Sequence, residues 1–442
     1  MNDIICARIT AGGSAAISVL RISGKGTIEL VSEFFSPPKK LLKAPGNSIV
    51  YGNFHDGSGR IIDEVLLSVF RAPHSYTAED SIELSCHGNP SIAERILGIL
   101  LSKARLANPG EFTLRAYLNG RIDLSQAEAV NDLITAGSSK AETAALMQIK
   151  GFLGRHLSEI LDRIREARLR CELAIDFADQ DLPGIDLEDL KDRIRGILRD
   201  AEALYTEGSS GIKLREGVKI CLAGAPNAGK SSLFNALLKQ NRAIVTPMPG
   251  TTRDYLEESF SLRGYPIVLW DTAGLRDSDD SIEQEGIARS YALMREADLI
   301  LMLYEGDFPG IGDELRDFES KIIPLASKAD IVSYPKLPEG HVSISVEIKD
   351  GLSDLAEMII RRLSLPSKII DRPLITNSRH LAALSRGISS LRDALTALDL
   401  DAGFEIIAFE LISAASALED ILGVLPTDEL LGKIFSEFCV GK

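Results

Sequence analysis

The stretch KICLAGAPNAGKSSLFNALL, residues 219–238, decides the fold of the segment around it. The apolar start KICLAGA is typical of a buried strand, and SLFNALL has the apolar spacing of a helix. Between them, Gly224, Gly229, Lys230 and Ser231 make the pattern of a phosphate-binding loop. In such a loop the backbone amides and the helix N-terminus hold the phosphates, Lys230 reaches the terminal ones, and the Ser231 hydroxyl ligates magnesium.

The segment from 217 to about 365 continues this alternation of strands and helices. The alternation predicts a mostly parallel sheet covered on both faces. Two further motifs in the segment complete a nucleotide site. PGTTRD, residues 249–254, offers Thr252 as a second magnesium ligand that responds to the terminal phosphate. DTAG, residues 271–274, supplies Asp271 to the metal's coordination shell and Gly274, whose amide can meet that phosphate.

The motif SKAD, residues 327–330, indicates which base is bound. A carboxylate at Asp330 accepts hydrogen bonds from guanine N1 and N2, whereas adenine would leave this charge unpaired. The usual pattern is Asn-Lys-x-Asp, so Ser327 alters the tethering of the loop more than the choice of base. Ser345 and Val346 in VSISVEIKDG are predicted to form the last base-contacting loop. The predicted GTP-binding residues are Asn227, Ala228, Gly229, Lys230, Ser231, Ser232, Thr246, Thr251, Thr252, Asp271, Thr272, Ala273, Gly274, Ser327, Lys328, Asp330, Ser345 and Val346.

The segment after DTAG raises the question of how water is activated for hydrolysis. Leu275 stands where many GTPases carry the glutamine that orients the attacking water. Four acidic residues follow it, Asp279, Asp280, Glu283 and Glu285. The residues alone do not choose among these four carboxylates.

Composition limits the possible functions. A chain of 442 residues with 45% hydrophobic residues is long enough for several domains with proper cores. No apolar run approaches the roughly 18 to 20 residues that cross a membrane, and the start lacks a signal or presequence pattern, so we expect a cytoplasmic protein with no membrane partner. The net charge of −15 excludes broad nonspecific binding to nucleic acid. The cysteines are scattered without CxxC spacing, which favours neither a disulfide framework nor a zinc site: Cys6, Cys86, Cys171, Cys221 and Cys439.

Changes in pattern divide the chain into four segments. Residues 1–118 mix short strands with helices, and residues 119–214 carry a long helical pattern. Residues 215–368 hold the P-loop segment, and residues 369–442 are helical again. The simplest architecture inserts the P-loop segment into one discontinuous helical domain, because each helical half would otherwise expose its apolar stripe.

Several motifs together resemble the MnmE (TrmE) family of tRNA modification GTPases. They are GAPNAGKSS, AIVTPMPGTTRD, DTAGLR followed by IEQEGI, the terminal FCVGK, and two stretches of the first segment, HSYTAEDSIELSCHGNP and NPGEFTLRAYLNGRIDLSQAEAVNDLI. The resemblance covers the whole chain. It implies a multidomain α/β plus all-α fold, with an N-terminal α/β folate-binding-like domain that also dimerises, a discontinuous helical domain and an inserted Ras-like G domain.

For the G domain, the resemblance implies a potassium ion that takes the place of an arginine finger when two G domains meet face to face. The matching ligands are Asn227, Thr246, Met248 and Thr251. A fixed cation beside the bridge between the β- and γ-phosphates stabilises charge that develops during phosphoryl transfer. The resemblance also implies that Glu283 orients the attacking water, with Lys230 as a second catalytic residue.

For the N-terminal domain, the resemblance implies a tetrahydrofolate derivative, in its 5,10-methylene or 5-formyl form. The matching positions are Arg21, Glu83, Arg121 and Lys442. Arginines can pair with folate carboxylates, and a carboxylate can accept hydrogen bonds from the pterin. Arg121 departs from the lysine found in much of the family and so changes hydrogen-bond geometry. Cys439 in FCVGK lies near the chain end and is predicted to be chemically active or docked in a partner.

The resemblance also implies partners and a reaction. They are a homodimer, a heterotetramer with the FAD-dependent protein MnmG (GidA), and a tRNA whose wobble uridine receives an aminomethyl or carboxymethylaminomethyl group at carbon 5. No GxGxxG follows a predicted strand, so the flavin is expected on the partner. The alternative is a ribosome-assembly switch GTPase, which should carry a basic RNA-binding domain beside its G domain.

Overall fold

The computed structural model describes residues 3–176, 186–240, 256–271, 290–363, 365 and 374–442. The chain divides into two compact units. One unit comprises Met1–Asn131 and Leu422–Lys442, and the other comprises Asp132–Ile421. Each unit is described separately below. The predicted segment boundaries at 118, 214 and 368 stay predictions.

The first unit is built on a seven-stranded sheet. Its strands follow the order β3-β4-β5-β6-β2-β1-β7, and every neighbouring pair is antiparallel except β1 and β7. The strands are β1 (Ile5–Arg8), β2 (Ile17–Ser23), β3 (Phe35–Ser36), β4 (Ser48–His55), β5 (Ile61–Phe70), β6 (Ser81–His87) and β7 (Arg105–Leu106). The mixed α/β character that the sequence predicts for this region is confirmed.

Helices of this unit pack on both faces of the sheet. Cys6 of β1 lies in one core cluster with Ile96, whereas its neighbours Ile5 and Ala7 lie in a separate cluster with Phe112. The helices are α1 (Thr27–Ser32), α2 (Pro38–Leu42), α3 (Pro90–Leu100), α4 (Glu111–Leu118), α5 (Leu124–Thr135) and, near the chain end, α13 (Asp428–Ser436). Helix α3 begins at an Asn89 cap, whose side chain accepts from the Ser91 amide at 2.9 Å. Its Ile96 and Leu100 are fully buried in one cluster with Leu20 and Leu84 of the sheet.

The C-terminal helix α13 packs into the first unit. The Thr427 hydroxyl accepts from the Leu430 amide at 3.2 Å and so caps the N-terminus of the helix. Phe435 and Phe438 are buried against Leu124 of α5. The helix ends at Ser436, and the chain after it pairs Val440 with Pro109 in an isolated bridge.

The second unit contains a bundle of long helices. They are α6 (Ser139–Ile149), α7 (Phe152–Asp176), α8 (Leu187–Glu216), α11 (Ser378–Asp399) and α12 (Phe404–Leu422). Within the described residues, the long helical pattern of residues 119–214 therefore forms four helices, α5, α6, α7 and α8. Gly151 separates α6 from α7 with φ 74°, a left-handed conformation that glycine adopts without strain. Helix α7 buries the stripe Ile160, Ile164, Ala167 and Cys171.

The P-loop segment of this unit forms a six-stranded sheet of order β13-β12-β11-β8-β10-β9. All neighbours are parallel except β9, which runs antiparallel to β10, so the predicted mostly parallel sheet is confirmed. The strands are β8 (Val218–Gly224), β9 (Leu256–Leu262), β10 (Tyr265–Asp271), β11 (Leu299–Tyr304), β12 (Ile322–Ala326) and β13 (Val342–Ser343). The helices are α9 (Lys230–Gln240), a helical segment at 290–296, a 3₁₀ helix (Asp313–Lys321) and α10 (Leu352–Arg362).

The carboxyl ends of β8, β10, β11 and β12 meet at one edge of the six-stranded sheet, where ligands bind in open α/β folds. Gly224 at the end of β8 has φ 134°, and a Cβ there would lie 2.3 Å from the Leu303 carbonyl oxygen. Only glycine fits this approach of two strands. Among the helices of the described ranges, none is long and apolar enough to cross a membrane.

Candidate functional site

The P-loop follows β8 and leads directly into α9, as the sequence predicts. The Lys230 ammonium is 9% exposed and donates to the carbonyl oxygens of Gly224 at 2.9 Å and Ala225 at 2.8 Å. These contacts hold the cation inside the curve of the loop. Asn227 is exposed at the loop's apex with φ 62°, a conformation that asparagine tolerates better than most residues.

The hydroxyl of Ser231 and the carboxylate of Asp271 come together beside this loop. Ser231 Oγ donates to Asp271 Oδ2 at 3.4 Å, and Asp271 is 2% exposed at the end of β10. Hydroxyl, carboxylate and water oxygens are the ligands that Mg²⁺ prefers, so this pair fits the predicted metal. Burial, followed by the negative charge of Asp271, raises the pKa of the nearby Cys221 thiol to about 12.

The SKAD loop, residues 327–330, lies at the end of β12. The Ser345 hydroxyl donates to the Asp330 carboxylate at 2.6 Å, and the Ala329 amide donates to the Ile344 carbonyl at 3.1 Å. Ser345 is fully buried. Lys328 has φ 57°, and its ammonium pairs with Glu305 at 2.6 Å. The loop that carries Ser345 therefore holds the carboxylate predicted to read the base.

Ser327, the departure from the usual asparagine, is 4% exposed. Its amide and its hydroxyl both donate to the Tyr304 carbonyl at 2.9 Å. The side chain thus ties the SKAD loop to the end of β11. Val346, the other predicted residue of the last loop, is partly buried against the sheet's main core.

In the first unit, Arg21 of β2 forms two hydrogen bonds to Glu83 of the neighbouring strand β6. Arg21 Nε and Nη2 donate to Glu83 Oε1 at 3.1 and 2.8 Å, and the two residues are direct partners in the sheet. The Arg21 guanidinium also lies 4.9 Å from the centroid of the Tyr76 ring and 5.5 Å from that of Phe112. Its Nη1 is buried without a hydrogen-bond partner among the described residues.

Arg121 and Lys442 also lie close to the pair formed by Arg21 and Glu83. Arg121 lies 5.3 Å from the Tyr76 ring centroid and donates through Nη1 to the Tyr76 carbonyl at 2.6 Å. The Lys442 carbonyl accepts from the Phe112 amide at 2.9 Å, and the Arg21 guanidinium lies 5.5 Å from the Phe112 ring centroid. Burial, and then the positive charge of Arg21, lower the pKa of the Lys442 ammonium. The structure therefore brings together all four residues predicted for folate.

The tail is held against the start of α4. The Gly110 amide donates to the Cys439 carbonyl at 3.4 Å, and the Phe112 amide donates to the Lys442 carbonyl at 2.9 Å. These bonds satisfy amides of the first turn of α4, which have no partner within the helix. The Cys439 thiol is exposed, whereas the other four cysteines are buried.

Several predicted residues lie outside the described ranges. They are Thr246, Met248, Thr251, Thr252, Thr272, Ala273, Gly274 and the four acidic candidates Asp279, Asp280, Glu283 and Glu285. Their predicted roles stay predictions.

Comparison with known proteins assigns the whole chain to a family. The family description of the GTP-binding protein TrmE N-terminus matches residues 4–121, and that of the MnmE helical domain matches residues 124–439, more than half of the chain. A tRNA modification GTPase MnmE from Moorella thermoacetica is 41% identical over 465 residues and covers 100% of both chains. The chain belongs to the MnmE family of tRNA modification GTPases.

Other MnmE proteins show the same extent of similarity. Those of Aquifex aeolicus and Clostridioides difficile are 38% and 39% identical, each covering 100% of both chains. Among solved structures, the G domain of the T. maritima FeoB iron transporter is 30% identical over 33% of this chain and 98% of that chain, with a TM-score of 0.24. The full-length similarity to MnmE proteins assigns the chain to this family.

Two tyrosines that were not among the predicted site residues contact residues of these sites. Tyr76 lies between Arg21 and Arg121, and its hydroxyl bonds Thr113 Oγ1 at 2.8 Å. Tyr76 lies in the motif HSYTAED, but no rule of sequence spacing predicts its contact with Arg121. Tyr334 contacts Ser327 from outside every quoted motif.

Proposed function

We propose that this protein is a potassium-dependent GTPase that acts in wobble uridine modification. With a flavoprotein partner of the MnmG (GidA) type, in a heterotetramer, it adds an aminomethyl or carboxymethylaminomethyl group at carbon 5 of the wobble uridine of certain tRNAs. The one-carbon unit comes from a tetrahydrofolate derivative. The observation that carries the proposal is the match of the complete chain to proteins named tRNA modification GTPase MnmE at about 40% identity.

The described part of the G domain supports guanine nucleotide binding. Asp330 is a carboxylate already oriented by a neighbouring hydroxyl, and it suits the N1 and N2 donors of guanine. Lys230 and the amides of the P-loop would bind the phosphates, and Ser231 with Asp271 would hold magnesium. The bound metal would neutralise charge on the phosphates. The chemical step is hydrolysis of GTP to GDP and phosphate.

Asn227 supports the potassium part of the proposal. Asn227 is exposed in the middle of the loop, where its carboxamide is accessible to a cation. An amide oxygen is a suitable ligand for a hard monovalent cation. Thr246, Met248 and Thr251 would complete the potassium ligands, and Glu283 would orient water. Hydrolysis would then drive opening and closing of paired G domains.

The cluster around Tyr76 supports the folate site. Three cations, Arg21, Arg121 and Lys442, are near one carboxylate, Glu83, in a protein whose net charge is −15. Such a local excess of positive charge suits the two carboxylates of a folate glutamate tail. Arg21 Nη1, buried without a protein partner among the described residues, leaves an NH₂ group for such an anion. Glu83 would accept from the pterin.

An exposed apolar sheet face supports the homodimer. Ile49 and Tyr51 of β4 alternate with buried residues, and Leu66 of β5 is the direct partner of Tyr51. Ile49 is 69% exposed and Tyr51 53%. A contiguous exposed apolar patch of this kind marks an interaction surface in soluble proteins. A second copy of the same sheet would bury it.

The proposal is tested in cells that lack the endogenous protein. The wild-type chain should restore the modified wobble uridine, measured by mass spectrometry of digested tRNA, and purified protein should hydrolyse GTP faster in potassium than in sodium. A Glu83→Gln variant should lose the modified nucleoside but keep GTP hydrolysis. GTP hydrolysis without any restored nucleoside would favour the alternative, a ribosome-assembly switch GTPase.

A further inference from the structure

Tyr334 joins two loops of the G domain that follow neighbouring strands. Its hydroxyl donates to the Ser327 carbonyl at 2.7 Å and accepts from the Gly306 amide at 3.3 Å. Ser327 opens the SKAD loop after β12, and Gly306 lies two residues after β11. A single hydroxyl therefore bridges the backbones of both loops.

Ser327 alone is a short tether. A serine hydroxyl supplies one donor, and here that donor goes to the Tyr304 carbonyl at 2.9 Å. The asparagine of the usual motif supplies two donors and one acceptor. With serine in this place, the SKAD loop has fewer side-chain bonds of its own, and Tyr334 adds one from the following segment.

A second side-chain contact between these loops is an ion pair, which we expect to contribute less than the hydrogen bonds of Tyr334. Lys328 pairs with Glu305, but both side chains are about one-third or more exposed, and exposed ion pairs contribute little. Tyr334 is half-buried, and its ring meets the Tyr304 ring edge-on with centroids 6.2 Å apart. Burial raises the pKa of its hydroxyl, so the group remains a proton donor at neutral pH.

We propose that Tyr334 is a positioning residue for guanine recognition, whose hydroxyl supplies the tether that serine lacks and keeps the SKAD loop in place to present Asp330 to the base. The proposal rests on the guanine nucleotide binding proposed above. Asp330 is fixed on its other side by Ser345 at 2.6 Å. The loop is thus held at both ends, by Tyr334 at Ser327 and by Ser345 at Asp330.

The test compares Tyr334→Phe with a matched control, Tyr291→Phe. Tyr291 also lies in the G domain, and its hydroxyl donates to Glu314 at 2.8 Å, away from the SKAD loop. Tyr334→Phe removes both hydrogen bonds of the hydroxyl, of which the one to Ser327 holds the SKAD loop, and it should speed GDP release about 3- to 10-fold. The Tyr291 variant should release GDP at the wild-type rate. Release is followed with fluorescent GDP in stopped flow.

A second measurement separates positioning from general loosening of the fold. Inosine diphosphate lacks the N2 amino group, so its binding loses one contact to Asp330. Tyr334→Phe should reduce the ratio of GDP to inosine diphosphate affinity, and this ratio does not depend on the fraction of folded protein. In a Ser327→Asn background, the effect of Tyr334→Phe should shrink below about 2-fold, because the asparagine restores a tether.

The outcomes distinguish the two proposals. If the wild-type chain binds no guanine nucleotide, the proposed function and this inference both fail. If the wild type binds GDP but Tyr334→Phe leaves release and base discrimination unchanged, the inference alone is wrong. An equal effect in the serine and asparagine backgrounds would contradict the claim that Tyr334 compensates for Ser327.

Discussion

The hydroxyl of Ser345 donates to the carboxylate of Asp330 at 2.6 Å. The backbone of Ser345 is itself fixed, because it exchanges two hydrogen bonds with Asp350, at 3.1 and 3.0 Å. The contact uses Oδ1 of Asp330, so Oδ2 would be the oxygen available for the proposed contact to the base. An oriented carboxylate loses less freedom on binding, which sharpens discrimination between bases.

Asp330→Asn should reverse the preference between guanosine and xanthosine nucleotides. The amide can donate to the second carbonyl of xanthine, where the carboxylate can only accept. We expect guanine nucleotide affinity to fall about 10- to 100-fold, as for loss of hydrogen bonds to a charged group, while xanthosine nucleotide affinity rises. Competition binding against fluorescent GDP measures both. Ser345→Ala is the control, since it should weaken guanine binding without favouring xanthosine.

Asn227→Ala should remove the difference between potassium and sodium. With wild-type protein, GTP turnover is expected to be faster in potassium at equal ionic strength, because a fixed cation stabilises charge that develops in the transition state. The variant should turn over slowly in both salts and keep its GDP affinity. Steady-state phosphate release at matched ionic strength is the measurement. Equal wild-type rates in the two salts would remove potassium from the mechanism.

Glu283→Ala should lower GTP turnover by about 10²- to 10⁴-fold, the range for a lost acid, base or water-positioning group. Glu285→Ala is the matched control two residues away, and it should stay close to wild type. Both residues lie outside the described ranges, so the test decides the position of the catalytic acid along the chain. The opposite pattern, with the loss at Glu285, would show that the family register is shifted here.

The P-loop and its flanking elements could be predicted from residues 219–238 because the deciding signals are local. A buried strand, two glycines and a helix pattern are contiguous in sequence. The guanine loop was predicted as a motif, but the orienting role of Ser345 depends on β12 and β13 being neighbours. The placement of Tyr76 between Arg21 and Arg121 was not predictable, since it depends on packing between residues distant in sequence.

The C-terminal tail likewise could be predicted from the sequence only in part. The Thr427 cap and the apolar face of α13 depend on residues that are close together in the sequence. Beyond the helix end at Ser436, Val440 pairs with Pro109, which lies more than three hundred positions earlier in the sequence. A sequence pattern carries no information on which helix start will accept the tail.

Binding of a folate anion should weaken at alkaline pH with an onset below the usual lysine pKa of 10.5. Burial and the charge of Arg21 lower the Lys442 pKa, so the cation that attracts the anion is lost as pH rises through that lowered value. Lys442→Arg should shift the onset upward, because a guanidinium stays charged. Titration of 5-formyl-tetrahydrofolate binding from pH 7 to 10 measures this. The Cys439 thiol lies nearby, so Cys439→Ser serves as the control background.

The thiols of the five cysteines should differ in their reactivity. Burial raises the pKa of the Cys6, Cys86 and Cys171 thiols to about 11, and that of Cys221 to about 12. Since the thiolate is the reactive form, these four should resist a thiol reagent at pH 8, whereas the exposed Cys439 should react first. Native protein should therefore release about one equivalent of chromophore from Ellman's reagent quickly, and denatured protein five.

Cys439→Ser connects that reactivity to function. The variant should lose the fast equivalent and, in cells, the modified wobble uridine, while potassium-stimulated GTP hydrolysis stays near the wild-type rate. Cys171→Ser, a buried change in α7, is the control that should leave the fast equivalent in place. Unchanged nucleoside levels in Cys439→Ser would show that the exposed thiol has no part in the modification. A parallel loss of hydrolysis would show that the tail supports the fold and not the chemistry.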